Sequence, residues 1–210
     1  RTLYSRNIEN LMFGGRNISC THAAMSSTRV MGTGCAVGQA AGTAAAFALQ
    51  NGLSLRQVTG RIAEVQQKLL RDDCYLPGIR LQISDTTASA DLTSGRGDPE
   101  PVRSGINRPV GDATNMWECE KGDTLTASLN RSQKVEEITL ILDSGLDQNV
   151  IMSYHLHSEK QLTRPPGCLP RKFLVEGLQH GKWEPVFQTG NNTQRYVKIP
   201  VHRELEAARF

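Results

Sequence analysis

The chain has 210 residues, a formal net charge of +3 at pH 7 and 21% charged residues, which suits a soluble protein of one or two domains and gives no basic stripe for nucleic acid. Only 5% of residues are aromatic, so any core must rest on Leu, Val, Ile and Ala. The five cysteines (Cys20, Cys35, Cys74, Cys119 and Cys168) are widely spaced, with no CxxC pair and no zinc spacing, and free thiols are expected.

Residues 1–9 read as a lead-in loop. Asn10–Arg16 reads as a strand, because the apolar run Leu11-Met12-Phe13 stops at Gly14-Gly15-Arg16. Residues 17–30 form a polar loop that contains His22 and Arg29, and loops at strand ends are where α/β proteins keep their chemistry. A histidine titrating near neutrality suits general base work, and an arginine just before a helix suits an anionic group. The same two residues serve equally well as a hydrogen-bonded structural histidine and a loop-bracing arginine.

A helix is expected from about Met31–Gly34 to Gln50, closed by a left-handed cap at Asn51-Gly52. Gly34, Gly38, Ala41, Gly42 and Ala45 lay a nearly side-chain-free stripe along it. Glycine inside a helix costs about 1 kcal/mol relative to alanine, so the stripe implies close backbone approach to a packed neighbour or to a flat or charged ligand. The helix is too mildly apolar, and too poorly flanked by basic or aromatic residues, to read as a membrane span. Ser54 is the expected N-cap of the next helix, whose Leu55, Val58, Ile62, Val65 and Leu69 make one apolar face.

Residues 84–114 are rich in Ser, Thr, Asp, Gly and Pro and read as a linker. Their Arg96-Gly97-Asp98 tripeptide is read as a chance match. From Asn115 the pattern has period two: Leu125–Leu129, Ile138–Leu142, Val150–Leu156, Lys172–Val175, Trp183–Gln188 and Arg195–Val201. Such runs with turn residues between them predict a β-sandwich. Trp117, Trp183, Asn191, Asn192 and Arg195 are its candidate ligand contacts, against a simpler role for the tryptophans as core anchors. His155-x-His157 would put two rings on one strand face with no third metal ligand in view.

The phrases LYSRNIENLMFGGRNIS, THAAMSSTRVMGTGCAVGQAAGTAAA and LLRDD-YLPG resemble the C-terminal part of the FAD-binding domain in a bacterial family of FAD-dependent oxidoreductases. The resemblance implies FAD as cofactor. It places Gly14, Gly15 and Arg16 on the pyrophosphate–ribityl side, and Gly32, Thr33, Gly34 and Cys35 at a helix start facing the flavin ring. It makes His22 and Arg29 the candidates for substrate handling. The Gly-rich dinucleotide fingerprint is absent from the 210 residues, and the chain opens at Arg1 in mid-phrase. The sequence is therefore read as a C-terminal fragment whose partner is the N-terminal remainder of its own polypeptide, inactive by itself. Asn115-Met116-Trp117, Val135–Asp143 and KFLVEGLQHGKWEPVFQTGNNTQRYVKIPV resemble the galactose-binding-like jelly roll of discoidin and carbohydrate-binding modules.

Together these give an α+β expectation: residues 1–83 as the strand–helix portion of a Rossmann-like FAD domain with a helical cover, 84–114 as linker, and 115–210 as a jelly-roll sandwich that stops short of its last strands. The implied activity is transfer of hydride or electrons between a small organic, carbohydrate-related substrate and flavin. The alternative is a carbohydrate-binding or scaffolding sandwich with a flavin-domain remnant. Bacterial cytoplasm, periplasm and secretion all stay open.

Overall fold

The computed structural model describes residues 2–109, 111–145 and 164–210. It forms two compact units, Arg1–Gln82 with Ile106–Arg108, and Ile83–Gly105 with Pro109–Phe210.

The first unit is helical. Its opening residues make a short antiparallel clasp rather than a full strand. Ser5 N–H donates to the Leu11 carbonyl at 2.9 Å, Phe13 N–H donates to Leu3 at 2.7 Å, and Tyr4 and Met12 form an isolated bridge. The strand expected over residues 10–16 is thus reduced to this bridge, because its ladder partner within the unit is only the short segment around Tyr4. The expected polar loop holds a helix, α1 (His22–Thr28), started by Thr21, whose hydroxyl accepts from Ala24 N–H at 3.2 Å.

Helix α2 runs Met31–Gln50, as its small-residue pattern predicts. It ends in a Schellman motif: Leu53 N–H reaches the Ala48 carbonyl at 2.9 Å, Gly52 N–H reaches Leu49 at 3.3 Å, and Gly52 takes φ +62°. Ser54 and Gln57 then form a reciprocal capping box, with Ser54 N–H donating to Gln57 Oε1 at 2.8 Å and Gln57 N–H to Ser54 Oγ at 3.4 Å. A tight turn over Gln57–Arg61 leads into α3 (Ile62–Arg71). Phe47 and Ala48 of α2 pack with Val58, Val65 and Leu69, and burial of a side chain such as Phe47 contributes about 1.5–3 kcal/mol. Ile62, assigned to that apolar face from its spacing, is half exposed (49%) because the tight turn breaks the helical phase just before it.

The second unit begins inside the segment read as linker. Ser84 caps α4 (Asp85–Ser89), and β1 (Asp91–Ser94) pairs antiparallel with β2 (Leu125–Ile141). Arg103 holds the end of α4 by donating to the carbonyls of Thr87, Ala88 and Ala90 while paired with Glu100. Strands β3 (Phe173–Gln179), β4 (Lys182–Thr189) and β5 (Tyr196–Arg209) complete an antiparallel sheet of order β1-β2-β5-β3-β4 among the described residues. The fold is α+β, helices first and then the antiparallel β-sandwich, as predicted. The runs at 125–129 and 138–142 join into the single strand β2, which is interrupted by irregular pairing between Ser128 and Gln133 and between Val135 and Glu137. Val175, Ile199 and Leu205 are the most deeply buried residues of its core, with Leu142, Leu169, Val197 and Val201 around them. The run Val150–Leu156 and the pair His155-x-His157 lie outside the described residues.

Candidate functional site

The glycine turn and the glycine helix meet. A Cβ built on Gly14 would stand 3.4 Å from the Cα of Gly38, and one on Gly34 would stand 3.9 Å from the Cα of Gly15. Backbone packs on backbone here: a methyl group at Gly14 or Gly34 would just reach van der Waals contact with the facing Cα, and a side chain larger than alanine at Gly14 would press on Gly38. Gly15 itself has φ +85°, a conformation that glycine takes without a Cβ clash. Of the sequence-derived cofactor residues, the structure therefore brings Gly14, Gly15 and Gly34 together. Gly38, which belongs to the stripe but was not assigned to the site, is the residue that completes the contact. Its signal was its place one turn after Gly34.

Gly32, Thr33, Gly34 and Cys35 occupy the first turns of α2, with Gly32 and Cys35 exposed and Thr33 and Gly34 half-buried. The N-cap of this helix is Val30, which has no side-chain acceptor, and the first turn carries no acidic residue. The N–H groups of that turn are thus left without the side-chain oxygen that ends most helices, at the positive end of the helix dipole. From Asn10 to Asn51 the sequence holds no aspartate or glutamate, while Arg16, His22 and Arg29 all fall within it. The segment is electropositive without an internal counter-ion.

Arg16 is exposed beside the glycine turn. His22 and Arg29 are exposed at the two ends of α1, where His22 opens the helix and Arg29 is its C-cap. Seven residues is close to two full turns, so the pair shares one face of α1 with Cα atoms about 10 Å apart. Arg29 also directly precedes Val30 and the start of α2. Cys20 lies beside α1, its Sγ 3.6 Å from Thr28 Oγ1, and no disulfide forms among the described residues. Burial pushes the Cys74 thiol up from its ordinary value. Among the described residues no three His, Cys, Asp or Glu side chains gather to hold a metal, and no helix is long and apolar enough to cross a membrane.

In the second unit, the residues named as ligand contacts are largely occupied. Trp117 donates its indole N–H to the Arg96 carbonyl at 2.6 Å, and Arg209, paired with Glu176 at 2.6 Å, lies 4.3 Å over the Trp183 ring. Asn192 is buried and ties two loops, donating to the carbonyls of Pro170 and Gln194 and accepting from Gln194 N–H. Arg195 donates to the Leu142 carbonyl at 3.1 Å. That leaves Asn191, exposed and bonded to Arg171. Arg96 of the Arg-Gly-Asp tripeptide is bound to Asp123 and Glu120, and Asp98 accepts from Glu100 N–H.

The chain thus combines a helical segment built on a glycine contact with an antiparallel β unit. Residues 1–69, about a third of the chain, match the family model described as FAD dependent oxidoreductase. No curated protein matches the chain. Among solved structures, it is similar to chitosan-binding module 1 of a chitosanase/glucanase from Paenibacillus sp. IK-5, with 14% identity, 60% of this chain and 84% of that chain covered, and a TM-score of 0.38. It is also similar to the family 32 carbohydrate-binding module of Streptococcus pneumoniae EndoD, with 10% identity, coverage of 60% and 83%, and a TM-score of 0.40.

Proposed function

We propose that the first unit is the cofactor-contacting part of an FAD-dependent oxidoreductase. The observation that carries this reading is the seating of the Gly14-Gly15 turn on Gly34 and Gly38 of α2. Around it, Val30 leaves the start of α2 without a side-chain cap, and no carboxylate lies between Asn10 and Asn51. These features suit a large anionic dinucleotide: bare backbone permits close approach, and N–H groups and arginines answer negative charge. FAD, when bound, supplies acceptance and donation of a hydride or of electrons.

In this reading Gly14, Gly15 and Arg16 hold the phosphate–ribityl side. Gly32, Thr33, Gly34 and Cys35 present the start of α2 to the flavin ring, where the dipole favours negative charge on the reduced ring. His22 and Arg29 hold a small organic substrate between them: Arg29 binds its anionic or carbonyl end, and His22 receives or returns its proton. The cofactor site is completed by the N-terminal remainder of the same polypeptide.

The test is an absorbance spectrum of the full-length parent beside the 210-residue chain, each after FAD addition and gel filtration. Flavin bands near ~450 nm retained by the parent, and lost when Arg16 and Gly34 are replaced by Glu and Leu, support the assignment. A parent that retains no flavin sinks it.

A carbohydrate-related ligand is the second reading, for the β unit. Its support is the exposed Arg171–Asn191 pair on loops fixed by the buried Asn192, a fixed set of donors and an acceptor of the kind that meets sugar hydroxyls. Titration of the chain with galactose and with chitosan oligosaccharides, monitored by calorimetry, tests it. No heat from either, or heat unchanged in Asn191→Ala, removes this reading without touching the flavin assignment.

A further inference from the structure

We draw no further inference here: the strongest candidate, the uncharged face of α2 that runs from Met31 through Cys35, Gly42 and Ala46 to Leu49 and is exposed within its own unit, carries nothing because nothing in the structure shows what covers it.

Discussion

Gly14 and Gly38 lie so close that a Cβ on the first would touch the Cα of the second at 3.4 Å. This distance is ordinary van der Waals contact, so Gly14→Ala is expected to fold with little loss. Gly14→Leu has no such room and should lift the turn from α2. Gly15→Ala fails for a different reason, since φ +85° strains any residue with a Cβ, at about 1–3 kcal/mol. Urea unfolding of the three variants separates the two causes. The expected order of stability is Gly14→Ala above Gly15→Ala, with Gly14→Leu losing helical signal from the first unit.

Gly177 in β3 is held small by its neighbours. A Cβ there would sit 2.6 Å and 3.1 Å from the two Cδ atoms of Leu205 and 3.2 Å from Val186 Cγ2. Leu205 is almost wholly buried and has little space into which to turn. Gly177→Ala should therefore cost about 1–3 kcal/mol by overpacking. Leu205→Ala alone is a cavity mutation costing about 2–5 kcal/mol. The double variant should lose clearly less than the sum of the two, because the methyl added at 177 enters the space vacated at 205. Strict additivity in denaturant unfolding would contradict the contact.

Asn107 is buried and donates its side-chain N–H to the Leu70 carbonyl at 3.0 Å, at the end of α3. Its neighbour Arg108 reaches Asp73 at 3.3 Å. Asn107→Ala removes that donor while Asp73 N–H still reaches the Leu70 carbonyl at 3.1 Å, so the expected cost is that of one hydrogen bond, about 0.5–1.5 kcal/mol. Asn107→Asp places an acceptor against an acceptor and should be the worse of the two at neutral pH. Thermal unfolding with both variants checks the order.

Glu136 accepts from Lys134 at 2.6 Å and meets His202 Nδ1 at 2.6 Å. The hydrogen bond to Lys134, then that to His202, lowers its carboxyl below the usual range. A lowered folded-state value means that the carboxylate stabilises the fold above its ordinary titration range. That contribution is lost as pH falls through the depressed value. Glu136→Gln should thus reduce the melting temperature slightly at pH 7 and not at all at the acid end of the profile. The difference should shrink in high salt, because all three groups are exposed.

Legibility in the sequence followed how local each determinant is. The limits of α2 were readable because a small-residue run and an Asn-Gly cap lie within the segment itself. Helix α1 was not, because no residue of it is buried and so no apolar stripe marks it; only Thr21 three residues before Ala24 signalled a start. Strand β1 escaped for a similar reason, with Leu92 the single large apolar residue in four positions and its pairing supplied by a partner more than thirty residues away. The candidate site was legible as residue types, glycines and arginines around a helix start. That Gly38 rather than Gly32 backs the Gly14 turn depends on how the turn lies across the helix, which spacing alone does not encode.

Residues 83–105 are built into the β unit, 106–108 return to the helical unit, and 109 onward go back. The polypeptide therefore weaves between its two units, and no single cut divides it into two intact parts. A piece begun at residue 115 loses strand β1 with the Arg103 clamp, and one ended at residue 83 loses the Asn107 bond to Leu70. Exchange of either unit between proteins by one crossover in the gene would leave a defect on one side of the join.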